Sequence, residues 1–324
     1  MPRQARLDVP GALHHVMIRG INKTDIFTDD QDRRMFLERL GLTVGEGDST
    51  LYAWVLMSNH VHLLFKSGKN GISGVMRKLL TWYAQYFNRR HLRSGHLFEN
   101  RYKSILCDED NYLLALVRYI HLNPIRAGIV KTIDELDRYP WSGHRAIVGK
   151  IKHHWVDADT VRAQFGGTRS KAIREYRRFM REGAAQGQIK ELTGGGLLRS
   201  QGGWSQVVGM RRRGQQEEFD QRILGSGEFV NRVLKETEAL YLRQLKHKRA
   251  GLTIRKIIED ECSRSGINPL ELQGGGRRRE VSGTRAAIAR RGREELGMSA
   301  AAIARSVGVG TSAISKAFAR VEKD

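Results

Sequence analysis

The sequence predicts an α+β domain followed by an all-α region, and two observations carry that reading. From Gly11 to about Lys150, short β-branched apolar runs alternate with longer amphipathic ones. From Phe219 to the carboxy terminus only helical periodicity is left. These shifts divide the chain into a sheet domain over 1–150, a helical connector over 151–218 and a helical module over 219–324.

The elements follow in order. His14 to Arg19 reads as a first strand. Asp29 is placed to cap a helix whose apolar side is Met35, Phe36, Leu37 and Leu40. Ser49–Met57 and His60–Lys66 are two further strands, separated only by Ser58 and Asn59, which is hairpin spacing. Ile72 to Asn88 carries Val75, Leu79, Leu80, Tyr83 and Phe87 at helical intervals. Tyr102–Cys107 is a fourth strand, and Asn111–Leu122 an apolar helix stopped by Asn123-Pro124. The order β-α-β-β-α-β-α is that of a ferredoxin-like antiparallel sheet with its helices on one face. Beyond it, Gly166-Gly167, Gly194–Gly196 and Gly202-Gly203 interrupt a helical composition, predicting a loosely packed connector whose Arg211–Arg213 run is a solvated basic face.

Composition narrows the partners. The 324 residues hold 56 Lys+Arg against 35 Asp+Glu, a net charge of +21. The expected partner is a polyanion. No apolar run approaches the roughly 20 residues of a membrane span, and Met1-Pro2-Arg3 does not open a secretory signal, so a bacterial cytoplasmic, nucleoid-associated location is expected. Cys107 and Cys262 lack zinc spacing and read as reduced or buried thiols.

Chemistry concentrates in two short runs. In His60-Val61-His62, strand alternation projects both imidazoles from one face, a way to deliver two ligands to one divalent ion. The same pair is also compatible with plain hydrogen-bonded sheet residues. Tyr119 and Asn123 stand four apart and share a helical face, bringing a phenol and an amide oxygen together. Tyrosine is a covalent nucleophile, but its free pKa of about 10 requires assistance, which a metal on the scissile phosphate provides.

The run Leu56-Met57-Ser58-Asn59-His60-Val61-His62-Leu63-Leu64, followed by Arg118-Tyr119-Ile120-His121-Leu122-Asn123-Pro124-Ile125-Arg126-Ala127-Gly128, resembles the single-tyrosine, IS200-like transposases of the His-hydrophobe-His (HUH) endonuclease superfamily. Within it the chain is most similar to the REP-associated tyrosine transposases, over roughly residues 10 to 150. That resemblance implies an HUH nuclease domain that cleaves and rejoins single-stranded DNA beside hairpin or palindromic repeat elements. It implies His60 and His62 as paired metal ligands, Tyr119 as the nucleophile forming a 5′-phosphotyrosine link, and Asn123, where mobile relatives more often carry glutamine, as third ligand. Mg²⁺ is the expected ion and Mn²⁺ the second choice; no nucleotide cofactor is implied, and the unit would be a monomer or homodimer. Arg101, Lys103, Arg118 and Arg126 are expected on phosphates, as are Arg89, Arg90, His91 and Arg93 if they share a face. Trp82, Tyr83, Tyr86 and Phe98 are candidates for base stacking, with core packing the default for at least half of them.

In the carboxy-terminal module, Thr253–Cys262 and Thr284–Leu296 read as helices, and Gly274–Gly276 with Arg277–Arg279 as a basic loop. Ser299–Ser306 and Thr311–Ala319 flank the turn Val307–Gly310 at helix-turn-helix spacing. This is similar to the duplex-binding domain of the DnaA replication initiator. The resemblance places Thr311, Ser312, Ser315 and Lys316 in the major groove and Arg277, Arg278, Arg279 and Arg285 on phosphates, with a helical dimerisation cap as the alternative. For the whole chain, the alternative to a strand-transferring enzyme is a non-catalytic regulator that binds hairpin and duplex DNA; an RNA-binding sheet is a weaker third reading.

Overall fold

The structure is a computed structural model that describes residues 7–69, 71–185, 220, 222–274, 276, 278–311, 313–314 and 317. It forms two compact units, Met1–Arg232 and Val233–Asp324.

In the first unit, β1 (Leu13–Arg19), β2 (Thr50–Leu56), β3 (His60–Lys66) and β4 (Lys103–Cys107) interleave with α1 (Asp30–Glu46), α2 (Ser73–Arg90) and α3 (Glu109–His121) in the order read from sequence. Asp29 caps α1 by accepting from the Asp32 amide. The sheet order is β2-β3-β1-β4-β5. Strands β1 to β4 pair antiparallel, but β5 (Ile223–Leu224) runs parallel to β4, making the sheet mixed. Leu106 N and Asp108 N donate to Arg222 O and Leu224 O, both at 2.8 Å, which satisfies the outer edge of β4. A two-residue strand has no periodicity to read, so β5 is invisible to pattern analysis.

The helices do not share one face. α1 and α2 cover one side, where Val16, Ile18, Val61, Leu63 and Phe65 pack with Phe36, Leu40, Leu79 and Tyr83. α3 covers the other, where Leu13, Leu64, Ile105 and Cys107 pack with Leu116, Val117 and Ile120. The reason lies in the strands: β2 and β3 are buried along almost their whole length, so both faces need covering. A bulge at Tyr52 keeps β2 in phase with this demand: Leu51 and Trp54 face α1 and α2, while Tyr52, Ala53 and Val55 face α3.

After α3 come α4 (Asn123–Arg126), α5 (Ile133–Leu136), α6 (His144–Ile147), α7 (Ala158–Ala163) and α8 (Arg169–Ala185). Ala158, Val161, Tyr176 and Met180 belong to the α3-side core, so residues 158–185 are part of the sheet unit and not a loose connector. The buried stripe of α8 is narrow, Ala172, Tyr176, Met180 and Gly183, and the helix's charged composition conceals it. Gly194–Gly196, Gly202-Gly203 and Arg211–Arg213 lie outside the described residues.

The unit boundary falls within α9 (Gly227–Arg249). The second unit continues with α10 (Ile254–Ser265), α11 (Pro269–Gln273), α12 (Arg279–Glu294) and α13 (Ala300–Ser306) around Ile257, Cys262, Leu272, Val281, Ile288 and Ile303. Ser299 caps α13, and a turn with Gly308 at φ +69° leads to further helical residues from Thr311. Both cysteines are buried and form no disulfide with each other. Among the described residues no helix is long and apolar enough to cross a membrane.

Candidate active site

Strand parity determines what lies beneath α3. In β1 the residues alternating with Val16 and Ile18 are His15, Met17 and Arg19; in β3 those alternating with Val61 and Leu63 are His60 and His62. The β1–β3 register opposes Met17 to His62 and Arg19 to His60, which gathers three imidazoles and a guanidinium on one patch of sheet. Tyr119 reaches this patch from α3. Its ring lies edge-on to both His15 and His62, at centroid distances of 5.7 and 5.8 Å. His60 and His62 are 5.2 Å apart and nearly perpendicular.

Hydrogen bonds orient the imidazoles. His60 Nδ1 lies 2.6 Å from Asn59 Oδ1. The amide oxygen can only accept, so Nδ1 carries the proton and Nε2 keeps its lone pair. His62 Nδ1 lies 2.9 Å from His15 Nε2, which leaves His62 Nε2 on the opposite edge of its ring. Burial, aided by Arg19, pushes His60 down to about 4. Burial, with His15, His60 and Arg19 nearby, holds His62 well below the usual histidine range. Both are therefore neutral near pH 7, the form in which imidazole binds metal.

Tyr119 is 9% exposed. Burial raises its phenol pKa, while the guanidiniums of Arg126 and Arg19 pull the other way. Arg126 is stacked over the Tyr119 ring at 5.2 Å and donates to its carbonyl at 3.3 Å. Asn123 opens α4, where Pro124 occupies the first turn and costs no helical hydrogen bond. Its Nδ2 donates back to Tyr119 O at 2.8 Å and Ile120 O at 3.2 Å, so its Oδ1 is the atom with ligand chemistry.

Residues 9–123 match the model of the IS200-like transposase family. The matched segment holds both histidines, the tyrosine and, as its last residue, the amide. A solved structure described as a REP-associated tyrosine transposase bound to a REP hairpin is similar at 17% identity, covering 48% of this chain and 92% of that one with a TM-score of 0.39. No curated protein sequence matches.

The side chains gathered here include groups that can ligate a divalent ion. The two neutral imidazoles have their Nδ1 atoms engaged and keep Nε2 as the ligand atom, and Asn123 Oδ1 on α4 is an oxygen donor. Among the described residues no group of three or more His, Cys, Asp or Glu side chains is arranged to hold a metal.

The remaining residues of interest divide. Lys103 is exposed on β4, opposite Met17 on the α3 side, and Arg101 is exposed just before it. Arg118 is half-buried: its guanidinium lies 4.2 Å from the Phe179 ring of α8, and a Cβ at Gly183 would collide with its Cδ. Arg90 pairs with Asp29 and Asp32 at 2.6 and 2.5 Å, and His91 with Asp32 at 3.0 Å, tying α2 to the start of α1. Arg93 lies over Phe87, and Arg89 is exposed. Tyr83 is core, its hydroxyl donating to Ile26 O. Trp82, Tyr86 and Phe98 pack with the α1–α2 core, across the sheet from Tyr119.

In the second unit, Arg285 is a correction. It is 7% exposed and donates to the carbonyls of Leu272 and Gly276, so its role is to hold α11 against α12 and not to meet phosphate. Arg278 pairs with Glu271, Arg279 opens α12, and Thr311 follows the turn after α13. Arg277, Ser312, Ser315 and Lys316 lie outside the described residues. His15 and Arg19 are the members of the site that sequence reasoning missed. Alternation from Leu13 puts them on one face, but only the register with β3 shows what they meet.

Proposed function

We propose that this protein is a metal-dependent single-stranded DNA endonuclease and strand transferase that works through a covalent 5′-phosphotyrosine at Tyr119, next to hairpin or palindromic elements. The observation that supports it best is the placement of the Tyr119 ring within 6 Å of His62 and His15, under the Arg126 guanidinium. The hairpin component rests on the motif resemblance. The Nε2 atoms of His60 and His62 and Oδ1 of Asn123 would hold Mg²⁺ or Mn²⁺, which when bound withdraws charge from the scissile phosphate.

The chain's own residues supply the rest. Tyr119 Oη forms a bond to phosphorus as the bond from phosphorus to the 3′-oxygen breaks; the phenol gives up its proton and the released 3′-oxygen gains one. One phosphoester replaces another, so rejoining is the same step reversed and needs no nucleotide. Arg126 and Arg19 favour the phenolate over the phenol, offsetting part of the burial cost. Lys103 and Arg101 are exposed and would meet the flanking phosphates. For the second unit we propose duplex binding through the helix-turn-helix that begins with α13.

The test is a labelled single strand carrying a hairpin, incubated with the full chain and Mg²⁺ and resolved under denaturing conditions. A protein–DNA adduct should form, disappear with chelator, and be absent for Tyr119→Phe. An adduct formed by Tyr119→Phe would overturn the assignment. Hairpin binding without any adduct in the unaltered protein would favour the non-catalytic regulator.

A further inference from the structure

Helix α8 has two faces with different chemistry. Its inward face is fixed to the helix that carries Tyr119. The Tyr176 hydroxyl sits between His121 Nδ1 at 2.8 Å and His144 Nδ1 at 2.9 Å, and His144 Nε2 lies 2.7 Å from Asp137 Oδ1. Asp137 is held below the usual carboxylate range, with hydrogen bonding from His144 opposing its burial. A carboxylate can only accept, so His144 donates to it through Nε2, Tyr176 donates to His144, and His121 donates to Tyr176. Arg177 adds contacts to Asp134 at 2.6 Å and Asp137 at 2.9 Å. His121 lies two positions after Tyr119 in α3, so these hydrogen bonds link α8 to the helix that carries the nucleophile.

The outward face carries Lys171, Arg174, Arg178 and Arg181, all exposed. Their spacing of three, four and three residues places them in a single row along the helix. From Lys171 to Arg181 the row runs about 15 Å at ~1.5 Å per residue. The neighbouring acids are Glu175, Glu182 and Asp134, which approach these arginines at 3.1 to 3.9 Å. Such exposed pairs are weak and yield readily to a polyanion. The arginine side chains are 57% to 73% exposed, and none has a structural duty comparable to that of Arg177 or Arg118.

We propose that this row is a docking rail for the phosphate backbone of duplex DNA, the stem of the hairpin whose single-stranded flank enters the Tyr119 site. The proposal rests on the function proposed above for that site and adds a second contact to it. Charge complementarity supports a polyanion. A duplex is favoured over a single strand because the row contains no aromatic side chain on which an unpaired base would stack, and the one aromatic beside it, Phe179, is covered by Arg118. A stiff row of cations also matches a stiff partner with closely spaced charge, about one phosphate per 1.7 Å of duplex axis. The interaction is expected to be independent of sequence, since phosphate contacts position a duplex and do not read it. Its use would be to set how far the stem base lies from the nucleophile.

The experiment is binding of the full chain to two labelled DNAs, a hairpin with a single-stranded tail and the tail alone, across a salt series. It compares the unaltered protein with Arg174→Ala/Arg178→Ala/Arg181→Ala. These positions are exposed and alanine favours helix, so thermal unfolding should be unchanged. The hairpin should lose affinity, and its log K against log salt slope should shrink by about 2 to 3, at ~0.9 for each phosphate no longer neutralised. Binding of the tail alone should be unaltered, and the triple lysine variant should restore the hairpin slope. An unchanged hairpin slope, or an equal loss for both DNAs, overturns the rail. The readout needs no cleavage, so failure of the Tyr119 assignment would show separately, as loss of the adduct with the salt slopes intact.

Discussion

The two faces of the same sheet do different work. On the α1–α2 face, β1 and β3 present Val16, Ile18, Val61, Leu63 and Phe65, and behind them Phe36 meets the rings of Phe27 and Tyr83 edge to face while those two tilt against each other. On the α3 face, the alternate residues of the same strands are His15, Met17, Arg19, His60 and His62. The first face is a stabilising core. The second keeps polar groups buried at some expense, which it can bear because each described imidazole has a partner and the opposite face supplies the stability. A period of two residues lets one strand serve both purposes without compromise, since a change on one face does not touch the other.

That separation can be broken experimentally. The largest effect is expected for His62→Ala, which should abolish adduct formation and weaken Mn²⁺ binding, followed by titration calorimetry, while the protein stays folded; retained activity would remove the site. Its mirror is Phe65→Ala, fully buried on the other face. It should lower unfolding stability by about 3–5 kcal/mol in denaturant titration and leave Mn²⁺ affinity of the folded fraction unaltered. If metal affinity fell with it, the faces would not be independent.

Acid should act mainly on the α3 side. His60 is held at about 4, against an ordinary 6.5, and His62, His121 and His144 are also depressed, chiefly by burial. A depressed histidine is neutral in the fold but protonated in the unfolded chain, so its stabilisation is complete above 6.5 and is lost as pH falls from there towards 4. The melting temperature should decline through that window, with amides of α3 and α8 losing exchange protection. A flat melting temperature between pH 6.5 and 4 would contradict this. The smallest effect concerns Arg126, one of the two cations that lower the Tyr119 phenol. Arg126→Gln should raise that pKa and displace the pH profile of adduct formation to higher pH, leaving the rate at its alkaline plateau nearly unaltered.

Much of the site was legible before the structure. The spacing of His60 with His62 and of Tyr119 with Asn123 is local, and helix and strand geometry convert such spacings directly into shared faces. The cap at Asp29 and the hairpin between β2 and β3 were legible for the same reason. Residues whose meaning depends on distant partners were not. Arg118 and Arg126 look alike in sequence, yet one lies on Phe179 and the other on Tyr119. Arg285 sits in a basic run that reads as phosphate-binding, and is consumed by two carbonyls.

By itself, then, the sequence determined the order β-α-β-β-α-β-α, the paired imidazoles, the tyrosine and amide on one helical face, the helical character of the second unit and the family resemblance, because each is encoded within a few consecutive residues. Only the tertiary structure decided that α3 takes the opposite side of the sheet from α1 and α2, that β5 closes the far edge, that α8 belongs to the sheet unit with its arginines outward, and that His15 and Arg19 join the site. Those outcomes depend on register and on which apolar faces compete for cover. Pairings between residues 47 or more positions apart, such as His15 with His62, leave no trace in local pattern.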